Sequence, residues 1–259
     1  MLELKNSVHK TFALLEYFTA SKREWGVTEL AQEIGSNKST VFRFLAQMHE
    51  IGILDKCEGS EKYRLGLKLF ELGNRVELRT ALIEKTHPAL EAVARNITET
   101  VHLAILKNHQ VFYVDKVESP QGLKISSDIG SYCPAHATAL GKTLLAYLSQ
   151  ESQQRMLSHI LDRGMVSSFT DRTMTSMKEL IPALGQIRKQ HFAIDKQEYE
   201  VGLICVAIPV FNQQGEVVAS LSASGPANRF QESEVKNYVS TLKEGADAIQ
   251  DSIGNFKLL

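Results

Sequence analysis

The chain of 259 residues has room for one large or two ordinary domains, and its 43% apolar content is enough to bury a core, which excludes a disordered or low-complexity protein. Twenty-nine Lys and Arg against 30 Asp and Glu leave a net charge of −1, so any surface for nucleic acid has to be local. No apolar run approaches the roughly 18 residues of a membrane span, the opening Met1-Leu2-Glu3-Leu4-Lys5 lacks a signal peptide's apolar stretch, and three widely spaced cysteines fit neither a disulfide framework nor a Cys-x-x-Cys metal site, so a cytoplasmic protein without structural zinc is expected.

The first ~65 residues predict three short helices and a hairpin. Val8, Phe12, Leu15 and Phe18 fall on one face of a first helix. Trp25-Gly26 breaks the chain, and Thr28 is the expected N-cap of a second helix carrying Leu30, Ala31 and Ile34. Gly35 ends it, and Ser36 is the expected cap of a third, in which Val41, Phe44, Leu45 and Met48 recur at i, i+3, i+4 and i+7 before Gly52. Residues 53–57 and 62–65 then flank the polar turn Glu58-Gly59-Ser60-Glu61 as a two-stranded wing. Helical patterns over residues 67–78 and 82–96 predict a connector, which divides the chain into domain 1–66, linker 67–81 and domain 82–259. Beyond it, strands are expected at 101–106, 111–117, 203–211 and 217–223, with Asn212-Gln213-Gln214-Gly215 turning between the last two. Helices interleave at 137–148, 151–161, 175–190 and 231–253, so the second domain reads as α+β round a mainly antiparallel sheet.

A protein that reads duplex DNA needs a helix with donors and positive charge on its outer face, able to enter the ~12 Å major groove. With Val41, Phe44, Leu45 and Met48 inward, Ser39, Thr40, Arg43 and Gln47 point outward, and Asn37 and Lys38 occupy the first turn. No acid occurs between Ile34 and His49, and over residues 36–68 six cations oppose four carboxylates. Arg43 suits a guanine or a phosphate. Lys62 and Arg64 in the wing and Thr28 at the second helix complete the expected DNA-facing set, although a protein-docking winged helix shares the same outline.

Several spaced motifs resemble a known family. They are Thr28-Glu29-Leu30-Ala31, Ser39-Thr40-Val41-Phe42-Arg43-Phe44-Leu45, and Glu61-Lys62-Tyr63-Arg64-Leu65-Gly66 leading into Leu69-Phe70-Glu71-Leu72-Gly73. In the second half they are His136-Ala137-Thr138 with Gly141-Lys142, then Asp195, Glu198, Gly202 and the run Cys205-Val206-Ala207-Ile208-Pro209-Val210-Phe211-Asn212. By these the chain resembles the IclR-type bacterial transcriptional regulators over essentially its whole length, and within them the ketodeoxygluconate-repressor-like, sugar-acid-responsive branch. The resemblance implies an N-terminal winged helix-turn-helix, a helical linker, and a C-terminal GAF-like domain whose small-molecule effector adjusts operator affinity in a homodimer or a tetramer built as a dimer of dimers. One departure stands out: four positions before Asp195, where the family pattern has a small residue, this chain has His191.

No constellation in the second domain completes an enzyme site, so no catalytic residue and no cofactor is expected. Gly141-Lys142-Thr143 has the ending of a phosphate-binding loop, but His136 stands where that motif requires Gly. Cys133 and His136 are separated by Pro134 and lack a nearby orienting carboxylate, and Asp195 with Glu198 reads as structure before it reads as a metal or acid–base pair. The eight histidines show no metal-binding spacing, and His136 reads as a structural hydrogen-bonder. What remains is a ligand pocket: residues 137–141 open a helix whose N–H groups suit a carboxylate, and Ser222 and Ser224 put two hydroxyls on one strand face. The resemblance places Ala139, Leu140, Asp195, Leu203, Cys205, Ser222 and Ser224 around it, with a sugar acid or oxo-acid as effector. Non-sensing docking protein and enzyme with a vestigial helix-turn-helix are the alternatives.

Overall fold

A computed structural model describes residues 6–19, 21–76, 82–121, 127–162, 167–230 and 234–254, and the chain divides into two compact units, Met1–Arg79 and Thr80–Leu259. The expected start at Met1 to Lys5, positions 77–81 of the expected linker and the first three residues of the 231–253 helix lie outside the described residues.

Unit one runs α1 (Ser7–Leu15), β1 (Trp25–Gly26), α2 (Val27–Glu33), α3 (Lys38–Glu50), β2 (Leu54–Lys56), β3 (Lys62–Leu65) and α4 (Leu67–Asn74). Its core joins Leu14 and Phe18 to Leu30, Val41, Phe44, Leu45 and Met48 and to Trp25, Leu54 and Tyr63 of the wing. Val8 and Phe12, expected inward, are more than half exposed. The helix is only nine residues long, so Phe18 reaches the core from the following turn and Leu14 carries the helix's own burial. Both expected caps move by one or two residues. Helix α2 starts from Gly26, whose N–H donates to Glu29 Oε2 at 3.4 Å, and Thr28 sits in its first turn. Asn37, not Ser36, caps α3 by accepting from Ser39 N at 3.3 Å, because the chain remains extended through 37. The wing has a third strand: β1 pairs with β3, Trp25 opposite Tyr63, where the sequence shows only a chain break.

Unit two runs α5 (Glu84–Ile97), β4 (Thr100–Lys107), β5 (Gln110–Val117), β6 (Tyr132–Pro134), α6 (Ala139–Ala146), α7 (Gln150–Asp162), α8 (Met177–Gln190), β7 (Ala193–Lys196), β8 (Leu203–Phe211), β9 (Val217–Pro226) and α9 (Val235–Ile253). The six strands lie in the order β6-β5-β4-β9-β8-β7, every neighbouring pair antiparallel. Helices α5 and α9 pack together so closely that a Cβ at Gly245 would stand 2.3 Å from Val93 Cγ2 and 3.3 Å from Leu221 Cδ2. The opposite sheet face carries Ala104, Val111, Cys133, Ala193 and Ala207 against Leu140, Leu144, Leu145, Leu184 and Ile187 of α6 and α8. Short edge strands β6 and β7 are additions to the four strands expected. His191, the departure noted above, is the left-handed residue closing α8, with φ +63 and its N–H on Ile187 O at 2.8 Å. That conformation favours a residue without Cβ, and here the imidazole Nδ1 lies 2.7 Å from Tyr147 Oη instead.

Candidate functional site

In unit one, burial of Val41, Phe44, Leu45 and Met48 fixes which face of α3 is free. Asn37, Lys38, Ser39, Arg43 and Gln47 are exposed and Thr40 is half-buried. Strand alternation does the same in the wing: Tyr63 is 2% exposed, so Lys62 and Arg64 on either side of it both face out. Thr28, Asn37, Lys38, Ser39 and Lys62 share one groove of about 900 Å³ between the starts of α2 and α3 and the wing. Arg43, Gln47 and Arg64 lie outside its lining, and Thr40 lines a second groove with Lys10, Tyr17 and Ser36. The acids near the first groove are paired: Glu29 with Lys22 at 2.5 Å, which holds its carboxyl below the usual range, and Glu61 with Lys56 at 3.3 Å. Sequence reasoning passed over Phe42, which is 54% exposed and lines the same groove. With Val41, Phe44, Leu45 and Met48 inward, the 3.6-residue period leaves position 42 off the buried face, a signal that could have found it.

In unit two, all seven expected pocket positions line one cavity of about 30 Å³. Sheet register explains how residues so far apart in sequence meet. Across β4, β9, β8 and β7, Thr100, Ser224, Cys205 and Asp195 form one row, and His102, Ser222, Ala207 and Ala193 form the next, all on the face that packs against α6. Ala139 and Leu140 close the cavity from the first turn of α6, where backbone N–H groups have no acceptor inside the helix and favour an anion. Thr138 caps that turn, accepting from Gly141 N at 3.2 Å and donating to Pro134 O at 2.9 Å. A Cβ at Gly141 would come within 2.3 Å of Ala135 Cα and O, so only glycine lets the helix start sit so near the sheet edge. Thr138, from the expected 137–141 helix start, also lines the cavity, and so do His102, Tyr113, Ser127, Tyr199 and Glu200, which were not expected. Tyr113 and His102 alternate like ordinary strand residues, and only the register shows that they face inward.

Burial pushes the Asp195 carboxyl up to about 7, against the pull of Glu198 N, which donates to Asp195 Oδ1 at 2.6 Å. Beside it, Lys142 is buried in an ion pair with Glu198 and donates to Ile194 O at 2.8 Å, so its ammonium is committed to the fold and not to a phosphate. Burial also raises the Cys133 thiol to about 11 and the Cys205 thiol well above its ordinary value, which leaves both protonated and poor nucleophiles. His136 contacts Ser167 O at 3.2 Å, while Cys133 Sγ stands 4.0 Å from Thr138 Oγ1. Among the described residues, no group of three His, Cys, Asp or Glu side chains is placed to hold a metal ion. No helix of the described residues is long and apolar enough to cross a membrane.

Comparison with known proteins accounts for both units. Residues 7–56 match the IclR helix-turn-helix domain and residues 75–251 match the bacterial transcriptional regulator IclR C-terminal domain. The chain is 39% identical over 249 residues to the HTH-type transcriptional regulator KdgR of Escherichia coli, covering 96% of this chain and 93% of that protein. Its fold superposes on the IclR-type regulator of Alicyclobacillus acidocaldarius with a TM-score of 0.79 at 28% identity, covering 96% and 98% of the two chains. It superposes with a TM-score of 0.81 at 23% identity on the IclR homologue of Microbacterium hydrocarbonoxydans complexed with 4-hydroxybenzoate, covering 94% and 97%. The matched relatives are regulators of transcription and not enzymes. This chain, with its winged helix-turn-helix and its α+β C-terminal unit, belongs to the IclR family of bacterial transcriptional regulators.

Proposed function

We propose that the protein regulates a carbon-source catabolic operon in the cytoplasm by binding operator DNA as a homodimer or dimer of dimers, with a small sugar acid or oxo-acid as effector. Thr28, Asn37, Lys38, Ser39, Thr40, Arg43, Gln47, Lys62 and Arg64 meet the DNA. Ala139, Leu140, Asp195, Leu203, Cys205, Ser222 and Ser224 surround the effector. The observation that carries this reading is the convergence of all seven of the latter on one cavity at the start of α6. The fold is also seen in complex with a carboxylate in the Microbacterium protein, and KdgR is the regulator named above at 39% identity.

At about 30 Å³ the cavity is too small for an acid of several carbons, which enters only by enlarging it. The effector therefore selects an opened arrangement of β7, β8, β9 and α6. An effector acts only through such a difference in affinity between two states. Replacing both Ser222 and Ser224 by alanine is expected to leave operator affinity intact while raising the acid concentration needed for a response at least tenfold. A double variant that responds at the wild-type concentration moves the effector site elsewhere.

A further inference from the structure

Among the described residues, three buried side-chain polar atoms lack a hydrogen-bond partner: His102 Nδ1, Ser222 Oγ and Glu198 Oε2. The first two belong to residues that line the effector cavity. His102 and Ser222 are 2% and 0% exposed and stand directly opposite each other on β4 and β9, a spacing of about 4.5–5.5 Å between Cβ atoms. A polar atom left unpaired at such a position is costly to a fold. Packing alone does not require them, since an apolar side chain fills either position without that cost.

The His102 ring is held in place from behind, with Nε2 2.7 Å from Ser127 Oγ and the Tyr113 ring 5.1 Å away. Burial, and after it the nearby Lys116, keep the ring neutral, its pKa lowered to about 3, so Nδ1 offers a ligand one N–H or one lone pair and no charge. Which of the two it offers follows from the direction of the Ser127 bond. A ligand hydroxyl both donates and accepts, and so satisfies Nδ1 in either tautomer and Ser222 Oγ as well. A keto oxygen or a carboxylate only accepts, so it pairs with both atoms in just one of the two tautomers, and an alkyl carbon leaves both atoms unpaired. The carboxylate already has a place at the first turn of α6.

Resting on the effector-cavity reading above, we propose that His102, together with Ser222, is a specificity-determining residue that reads a hydroxyl on the carbon chain of the acid. The effector class is then a hydroxylated carboxylate, and simple oxo-acids and fatty acids are discriminated against. A site built to pair a substrate hydroxyl rejects the analogue lacking it far more strongly than an apolar pocket rejects an added group.

The test is calorimetric titration of the full-length protein with hydroxy acids (glycerate, D-gluconate, D-galactonate) and with propionate, hexanoate and pyruvate, for the wild type, His102→Phe and Ser222→Ala. At least one hydroxy acid should bind at least tenfold more tightly than every unhydroxylated acid, and each variant should lose tenfold or more for that acid alone. Equal binding of an unhydroxylated acid, or undiminished binding of the hydroxy acid by the variants, overturns the proposal and leaves carboxylate sensing standing. If no acid of either kind binds, both fall. Thermal melting without ligand gives a second readout: Ser222→Ala should keep or raise the melting temperature, whereas a drop of about 2 °C or more identifies a structural partner for the hydroxyl and removes the proposal's basis.

Discussion

Arg43 is exposed one turn into α3, on the face opposite Val41, Phe44, Leu45 and Met48, with no acid on that helix before Glu50. A bidentate contact from such a guanidinium is worth about 1–3 kcal/mol. Arg43→Ala is therefore expected to weaken operator binding more than tenfold in a titration at fixed salt, and unchanged affinity removes Arg43 from the interface. Asp195 makes a different kind of residue-scale prediction. Its folded carboxyl titrates near 7, against an ordinary value of 3.8. The unfolded chain therefore releases this proton first as pH rises, and the group's contribution lowers stability progressively between about pH 4 and 7 and adds no further slope above that. Asp195→Asn should flatten this part of the melting-temperature profile, and an unaltered profile contradicts the assignment. A carboxylate ligand should also bind more tightly at pH 6 than at pH 8, because only the protonated Asp195 avoids like-charge repulsion beside it.

The elements that position the cavity depend on one buried ion pair. Lys142 on α6 reaches Glu198 and the carbonyl of Ile194 on β7, tying the helix to the edge strand. Removing one partner of a buried pair strands the other's charge, at about 3–5 kcal/mol. Lys142→Met should destabilise unit two by that amount in chemical denaturation, and adding Glu198→Gln should recover most of it. Equal stability of the single variant and the wild type contradicts the pair's structural role. Legibility in sequence followed element length. The α3 helix, the β2–β3 wing and the β8–β9 hairpin were all readable, because 3.6-residue and two-residue periods persist there and turn residues bound them. Strands β1, β6 and β7, two to four residues long, were not, since nothing like the Glu58-Gly59-Ser60-Glu61 turn that marks the equally short β2 and β3 joins any of them to a neighbouring strand. Neighbouring Ser36 and Asn37 are equally good caps, so backbone geometry decided between them. Of the cavity, the two serines and the α6 start were legible from local pattern, and the family resemblance added the other positions. His102 and Tyr113 stayed hidden because only cross-strand register brings them to the same place, and Ser127 because it lies in no regular element.

At the scale of the molecule, the proposed reading helix in one unit and the proposed effector cavity in the other have value only if each biases the same equilibrium. Symmetric dimers read palindromic sites whose half-sites lie about one helical turn, or multiples of it, apart. An effector that favours one arrangement of the paired reading heads then changes operator affinity, by a factor typically of about 5–150. The most direct measurement is fluorescence anisotropy of the full-length protein on its own upstream DNA and on scrambled DNA, at a fixed ~150 mM salt because phosphate contacts make affinity salt-dependent, with and without a panel of hydroxy and oxo-acids. The prediction is a preference of about 10³ or more for the upstream DNA, shifted at least fivefold by one acid of the panel. Equal affinity for scrambled DNA, or specific binding that no acid of the panel moves, contradicts a ligand-responsive regulator of this kind.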